Sequence, residues 1–482
     1  MRKVLITTLI LTIAFHQNIF AQYIEIDSVL NQMSRLMEGV KNEYHLPSIV
    51  MAVIHDNEII YKNAIGYSDV EKQAEAKTFT KYPIMSITKV FESVMLVQLS
   101  ERGLIGLNDD VKKYIPEYKI SLTYPGNHTT SLLQLATHNS GLPRESPANA
   151  TSILSHYQYA ETNGKSKLEY FCTKDEFLKS LQFIEFEHMP YEYNQYSSYY
   201  SNVGCTMLGI ALERASQKEF SEYMSENIFK PLKMNNTGFV QSINDKERLN
   251  LSSGYIYNKS TNTYVRTPYL LTDSYYYCGG MYSTAEDLAK FISSQLDYDN
   301  NPVGQIITPD GIRMMRYLNL GWQFQWYPEY PMINHGGSYL GYRSYIALVP
   351  ELKLGWVILA NQYDYKENID FGKINNRLRE LLMPLYKNEP AKAYASSEKV
   401  DFNKYVGSYS VADKSMSMDI SSINDTLHYD NATYSPDNNV LIPIAPNIYK
   451  EKAGFKYEFI FVLDNKNEIC KLKMGDLIWY KN

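Results

Sequence analysis

Three short patterns in this chain could do chemistry. In PIMSITKVFESVMLVQL, Ser86 and Lys89 lie three residues apart at the start of a predicted helix, so they share one face. A serine hydroxyl there sits where the helix's free N–H groups and dipole favour an attacking oxyanion. A neighbouring amine can take its proton if burial or another cation lowers the lysine pKa. The same spacing recurs at Ser396–Lys399, and a serine in that place also serves as an ordinary N-cap worth about 1 kcal/mol. The second pattern sits in MPYEYNQYSSYYSNVGCTMLG, which has five tyrosines in the ten positions from Tyr191 to Tyr200. One of these phenols could carry a proton, or all could line a strand edge. Tyr200–Ser201–Asn202 is one of several Tyr-x-Asn triplets; Tyr61, Tyr298 and Tyr317 begin others. The third pattern, His335–Gly336–Gly337, follows the apolar pair Met332–Ile333 and is the chain's only His-x-Gly. A half-buried histidine beside a glycine turn would read the same way.

These patterns come in the order Ser86, Tyr200, His335, and each falls on a definite predicted element. Apolar spacing through Val29, Leu30, Met33, Met37 and Val40 predicts an amphipathic helix over 26–44. LPSIVMAVIHDNEIIYKNAIGY predicts a hairpin around His55–Glu58. A helix is expected from Ser86 to Arg102, stopped by Gly103, and another after Tyr200. In GGMYSTAEDLAKFI, Ser283 or Thr284 should cap a helix with acidic residues in its first turn. MINHGG, YRSYIALV and LGWVILAN read as strands, and a helix from Asp370 to about Tyr386 closes the region. Residues 143–189 are irregular and polar, with one helical patch at Lys174–Phe183, and look like a large insertion.

The linked segments resemble the serine hydrolase family of class C β-lactamases, penicillin-binding DD-peptidases and related esterases, whose Ser-x-x-Lys arrangement matches Ser86 and Lys89. SITKVFESVMLVQLSERGLIGLNDDVKKYIPEY, LLQLATHNSGLP, GGMYSTAEDLAKF and NHGGSYLGYRSYIALVPELKLGWVILAN carry the likeness over residues 25–386. It implies an α/β sandwich with a mainly antiparallel sheet, helices packed on it, and an all-helical lobe with the active site between. It further implies Ser86 as nucleophile and Lys89 as its proton acceptor. Tyr200 would be the acid and base of acylation and deacylation, and Asn202 a contact to the substrate amide. His335 and Gly337 would line the site, and the Ser86 and Ser338 N–H groups would form an oxyanion hole worth roughly 3–4 kcal/mol per donor. Counting from Pro190 would select Tyr196, whereas counting back from Leu208–Gly209 selects Tyr200 and keeps the asparagine. His335 stands where the family usually has lysine; with an ordinary pKa of about 6.5 it is mostly neutral at pH 7. That favours a peptidase or esterase over a carboxylate-binding β-lactamase. Arg343 on the next strand could supply the missing charge or lie on the surface.

Composition agrees with an exported enzyme. MRKVLITTLILTIAFHQNIFAQ has a charged start, an apolar run of about a dozen residues and Ala21, a secretory leader too short to span a bilayer. The formal charge of −6 becomes more negative by two without Arg2 and Lys3, and no basic stripe invites nucleic acid. The nine histidines form no ligand pair, and Cys172, Cys205, Cys278 and Cys470 show no zinc or redox spacing, so neither a metal nor a cofactor is implied. One disulfide is open to these cysteines, with buried thiols expected for at least two. The domains expected are a leader at 1–21, a hydrolase at 22–386, a linker at 387–399 and a small all-β domain at 400–482. That last domain resembles the lipocalin-like barrel that often follows such hydrolases. The reading is a periplasmic or secreted acyl-serine hydrolase. Its substrate would be a small D-amino-acid peptide, amide or ester, a cell-wall peptide among them; the alternatives are a β-lactamase, a carboxylesterase, or a binding protein that kept the fold.

Overall fold

The computed structural model describes residues 28–119, 130–145, 173–187, 199–243, 250–267, 269, 273–296, 305–325, 327, 330–339, 341–363, 369–386, 401–411, 417–423, 426–430, 440–445, 447–451, 458–463, 468–474 and 477–482. The leader at 1–21, the linker at 387–399, Cys172, Tyr196 and most of the 143–189 insertion lie outside the described residues. The chain divides into two units, Met1–Glu389 and Pro390–Asn482.

Strand β1 (Ser48–His55) is apolar almost throughout because both of its faces are covered. Val50, Ala52 and Ile54 enter one core, while Ile49, Met51 and Val53 enter the other. Strand β2 (Glu58–Asp69) returns through Asp56 and Asn57, which sit at φ 46° and 73°, as a two-residue hairpin turn requires. Strand β3 is Ala74–Glu75. Strands β4 (Tyr82–Pro83), β5 (Gly238–Phe239) and β8 (Met281–Ser283) form a small second sheet, and β6 (Gly254–Asn258) pairs with β7 (Thr263–Thr267). Strands β9 (Gln323–Gln325), β10 (Met332–Tyr339), β11 (Tyr342–Val349) and β12 (Leu354–Ala360) complete the large sheet. Its order is β3-β2-β1-β12-β11-β10-β9, antiparallel at every pairing.

On one face lie the helix at 28–43 and the helix Phe371–Tyr386. There Trp356 Nε1 donates to Asn375 Oδ1 at 2.9 Å, and Asn375 Nδ2 donates to Tyr345 Oη at 2.6 Å, so buried polar groups are paired. The other face carries Ala285–Leu296, and Thr88–Glu101 and Asn202–Ser216 pack together in the same core as the helical lobe that the resemblance implied. Thr284, not Ser283, caps Ala285–Leu296: its Oγ1 accepts from Asp287 N–H at 3.1 Å, while Ser283 ends β8. Gly209 lets two lobe helices touch, because a Cβ there would lie 2.6 Å from Tyr277 Cβ on Asp273–Gly279.

Ser86 is not an N-cap. It sits in a 3-10 turn, Met85–Ile87, and the α-helix begins at Thr88 without a side-chain cap. The turn is pressed against β10 just beyond the reach of β9, whose pairing stops at Asn334. Ser344 Oγ donates to the Ile84 carbonyl at 2.7 Å, and Ile84 N–H donates to Met281 O at 2.9 Å. A Cβ on Gly337 would run into the Ile84 carbonyl oxygen and Ser344 Oγ.

The second unit is a closed barrel of eight strands from Gly407–Val411 to Leu477–Lys481. Each strand pairs antiparallel with the next, and the last pairs with the first. Tyr405, Tyr409, Phe459, Phe461, Leu472 and Trp479 fill its interior, and closure leaves no strand edge open.

Because the obstacle at Gly337 is main chain, rotamer changes cannot relieve an added methyl. Gly337→Ala should lower stability by about 1–3 kcal/mol in thermal or urea unfolding. It should also reduce covalent labelling of Ser86 in protein that remains folded, since the turn must retreat from β10; unchanged stability and labelling would contradict the close approach.

Candidate active site

Ser86 is presented by a strained backbone. Met85, buried and directly before it, has φ 49°, a region that non-glycine side chains seldom occupy. One turn on, Lys89 is almost fully buried, and its Nζ donates to Ser86 Oγ at 3.1 Å and to the Cys278 carbonyl at 2.8 Å. That carbonyl lies in the last turn of Asp273–Gly279, where helical C=O groups lack intrahelical partners and carry the negative end of the dipole.

Tyr200 stands just ahead of Asn202–Ser216, and the loop after Leu132–Ala136 fixes it there. Ser201 is the N-cap: its Oγ accepts from Gly204 N–H at 2.9 Å and donates to Pro143 O at 2.6 Å. Ser201 N–H donates to His138 Nδ1 at 3.2 Å, and Asn202 N–H donates to Arg144 O at 2.9 Å. The His138 ring lies 4.4 Å from the Tyr200 ring, the Arg144 guanidinium 4.9 Å and Lys89 Nζ 5.0 Å. Lys89 and Ser86 both act on the phenol, against the effect of burial.

His335 shares its strand face with Gly337, toward the lobe, and its ring lies 6.4 Å from that of Tyr200. Its Nδ1 meets the Gly336 carbonyl at 2.9 Å, and since a carbonyl only accepts, Nδ1 carries the proton and Nε2 is left as an acceptor. In His138 the pattern is reversed, with Nδ1 accepting and the proton on Nε2. Ser338 pairs directly across from Arg343, so both side chains face away from the site, while Ser338's backbone belongs to the stretch beyond β9. Arg343 therefore does not replace the missing lysine. Its guanidinium lies between the Tyr363 and Phe371 rings, at 5.2 and 5.0 Å.

Electrostatics divide these groups sharply. Burial works against the Lys89 charge, but its coupling to Tyr200 acts the other way and the ammonium is held above the usual lysine range. Burial raises the Tyr200 phenol too, against the pull of Lys89. At rest Lys89 is therefore charged and Tyr200 neutral, a coupled pair that shares its protons. Burial, reinforced by Lys89, lowers both His335 and His138 to about 3, so both are neutral at working pH. Glu92, on the lysine's own helix, is buried and pushed well above the carboxylate range, against the pull of Lys89. Cys205 and Cys278 are buried cysteines. The arrangement can hold a hydroxyl nucleophile, exchange its proton with Lys89 and Tyr200, and present a strand edge to an oxyanion.

Glu145 has no counterpart in the sequence reading. Its Oε1 accepts from Asn202 Nδ2 at 2.6 Å and its Oε2 from Tyr275 Oη at 2.5 Å. It thus ties the Tyr200 loop, the Asn202 helix and the helix bearing the Cys278 carbonyl. Burial raises its carboxyl, although both hydrogen bonds pull the other way. The six letters LPRESP gave no signal for it, since its partners lie 57 and 130 residues away. Asn202 Oδ1 stays buried with no hydrogen-bond partner among the described residues.

Comparison with known proteins bears on this geometry. The beta-lactamase family profile matches residues 29–376. Protein flp of Staphylococcus aureus (strain N315) is 28% identical over 338 residues, covering 68% of this chain and 62% of that protein. Beta-lactamase-like protein 2 of Dictyostelium discoideum is 26% identical over 377 residues, covering 76% and 63%. The chain thus spans about three fifths of the length of these curated relatives. Among solved structures, the octameric penicillin-binding protein homologue of Pyrococcus abyssi superposes with a TM-score of 0.59 at 22% identity, covering 94% of this chain and 99% of that one. The beta-lactamase/D-alanine carboxypeptidase of Yersinia pestis, complexed with citrate, gives 0.58 at 21%, covering 74% and 98%. At these identities the structures share the fold.

Glu145→Ala should leave the Asn202 amide and the Tyr275 hydroxyl unpaired and cost about 1–3 kcal/mol of stability. Activity should fall further than that loss explains, measured on protein shown to be folded. A second expectation concerns acid. His335 and His138 stay neutral in the folded chain down to about pH 3, but protonate near 6.5 once unfolded. The unfolded chain therefore takes up more protons in that interval, and stability falls as the pH drops from 6.5 toward 3. His335→Asn should flatten that fall in urea midpoints measured at pH 7 and 4.5.

Proposed function

Because the chain belongs to the beta-lactamase family of serine hydrolases, we propose that it is an exported acyl-serine hydrolase of small D-amino-acid peptides or amides, cell-wall peptide fragments among them. The observation that carries this is Ser86 Oγ held 3.1 Å from Lys89 Nζ, with the Tyr200 ring 5.0 Å from the same amine. In acylation Ser86 Oγ bonds the acyl carbon and its proton passes to the Lys89–Tyr200 pair, which must first be short of one proton. The pair returns that proton to the leaving nitrogen as the C–N bond breaks. Water then attacks the acyl-enzyme, gives its proton to the pair, and Ser86 Oγ recovers a proton as it departs. The Ser86 and Ser338 N–H groups would meet the oxyanion.

Neutral His335 supports a peptidase over a β-lactamase that grips a carboxylate at that position. Its Nε2 would accept from a substrate N–H. Export rests on the leader read at 1–21. None of the helices described is long and apolar enough to cross a membrane.

The test is the intact mass of the protein incubated with benzylpenicillin, with the adduct mapped by peptide. A penicilloyl group on Ser86, absent from Ser86→Ala, is the expected result, and it should persist for longer than a β-lactamase would allow. A folded protein acylated by neither the β-lactam nor a small activated ester would instead be a binding protein built on this fold.

A further inference from the structure

The family's usual cation at the third motif is missing here, and the nearby charges are disposed in a particular way. His335 is buried beside the Gly336 carbonyl and Arg343 lies on the far face of the sheet between two rings. Lys89 is buried, and its hydrogen bonds to Ser86 and Cys278 turn inward. Arg144 differs from all three. Its carbonyl is fixed to the start of the Asn202 helix at 2.9 Å, and its guanidinium lies 4.9 Å from the centre of the Tyr200 ring. The side chain nevertheless remains 65% exposed. Its contact with Glu145 is long, 3.9 Å through Nε, and both oxygens of that carboxyl already accept from Asn202 and Tyr275.

We propose that Arg144 forms an anion subsite at the mouth of the active site and selects substrates that carry a carboxylate next to the scissile bond. A guanidinium offers paired N–H donors in a rigid fork, which fits a carboxylate in two parallel bonds. The guanidinium lies 4.9 Å from the centre of the Tyr200 ring, which holds the fork near the phenol beside Lys89. The anchored main chain fixes where the side chain starts and leaves only its own rotamer freedom to be lost on binding. Solvent still reaches the site, so the preference is modest and screened by salt. The carboxylate could belong to the leaving residue or to the acyl part, and the test separates these.

The inference rests on the proposed acyl-transfer reading only for where the substrate lies, so it is tested by binding and not by turnover. Calorimetry on the Ser86→Ala protein would compare N-acetyl-D-Ala-D-Ala with its C-terminal amide, and N-succinyl-D-Ala-D-Ala amide with its N-succinamyl analogue. In one pair the acid should bind about tenfold more tightly than the amide, the low end for a hydrogen bond to a charged group. Adding Arg144→Gln should bring that ratio close to one, whereas Arg144→Lys should restore part of it. Lack of an acid preference in both pairs, or one that survives Arg144→Gln, would overturn the subsite. Failure of the wild-type protein to acylate would count against the Ser86 chemistry and leave this result standing.

Discussion

The close contact between the Ser86 turn and strand β10 is the constraint on which the rest depends. It exists because Gly337 has no side chain and because the Ile84 carbonyl, two residues before Ser86, accepts from Ser344. The turn is tied from behind as well. Tyr82, two residues before Ile84, shares a hydrogen bond of 2.7 Å with Ser48 Oγ, which donates to Asn361 Oδ1 at 2.7 Å. Asn361 in turn holds the carbonyls of Tyr67 and Ser253. Through this buried network the centre of the large sheet fixes where the serine can be.

Around that fixed point the protein keeps very little net charge. Lys89 is its buried ammonium, and the acid and imidazoles closest to it are pushed toward their neutral forms. In a low dielectric such a buried charge acts strongly on any group that approaches. The cost of burying it is offset by the Cys278 carbonyl and by Tyr200. The same burial that strips His335 of its proton transfers the recognition of anions to a residue at the rim.

Much of this was readable in the letters. The apolar runs of β1, β11 and β12, the hairpin turn at Asp56–Asn57 and the helical patch at Lys174–Phe183 carry their own local signals, and the structure forms each of them. Ser86, Lys89 and Tyr200 meet, and His335 faces them, because each was tied to an element with a strong signal. The residues that sequence misplaced depend on tertiary placement. Whether Ser86 caps a helix or rides a 3-10 turn is decided by β10, over two hundred residues on. Arg343 could be set on the wrong face only by register, since one step along a strand reverses every side chain. Glu145 and His138 act through partners far away in the chain, so no window of sequence could show them. Tyr196 is outside the described residues, and Tyr200 alone of the two is placed at the site.

The anchor of Lys89 on the Cys278 carbonyl has a consequence for how this protein can change. A main-chain oxygen is present whatever residue occupies the position, so no single exchange at 278 can delete that contact. Only displacement of the helix can, and the helix is held by its packing at Gly209 and by Tyr275. Drift in the side chains of this segment therefore leaves the Lys89 contact in place as long as the backbone path is kept. Its vulnerability lies in neighbours that never touch the lysine.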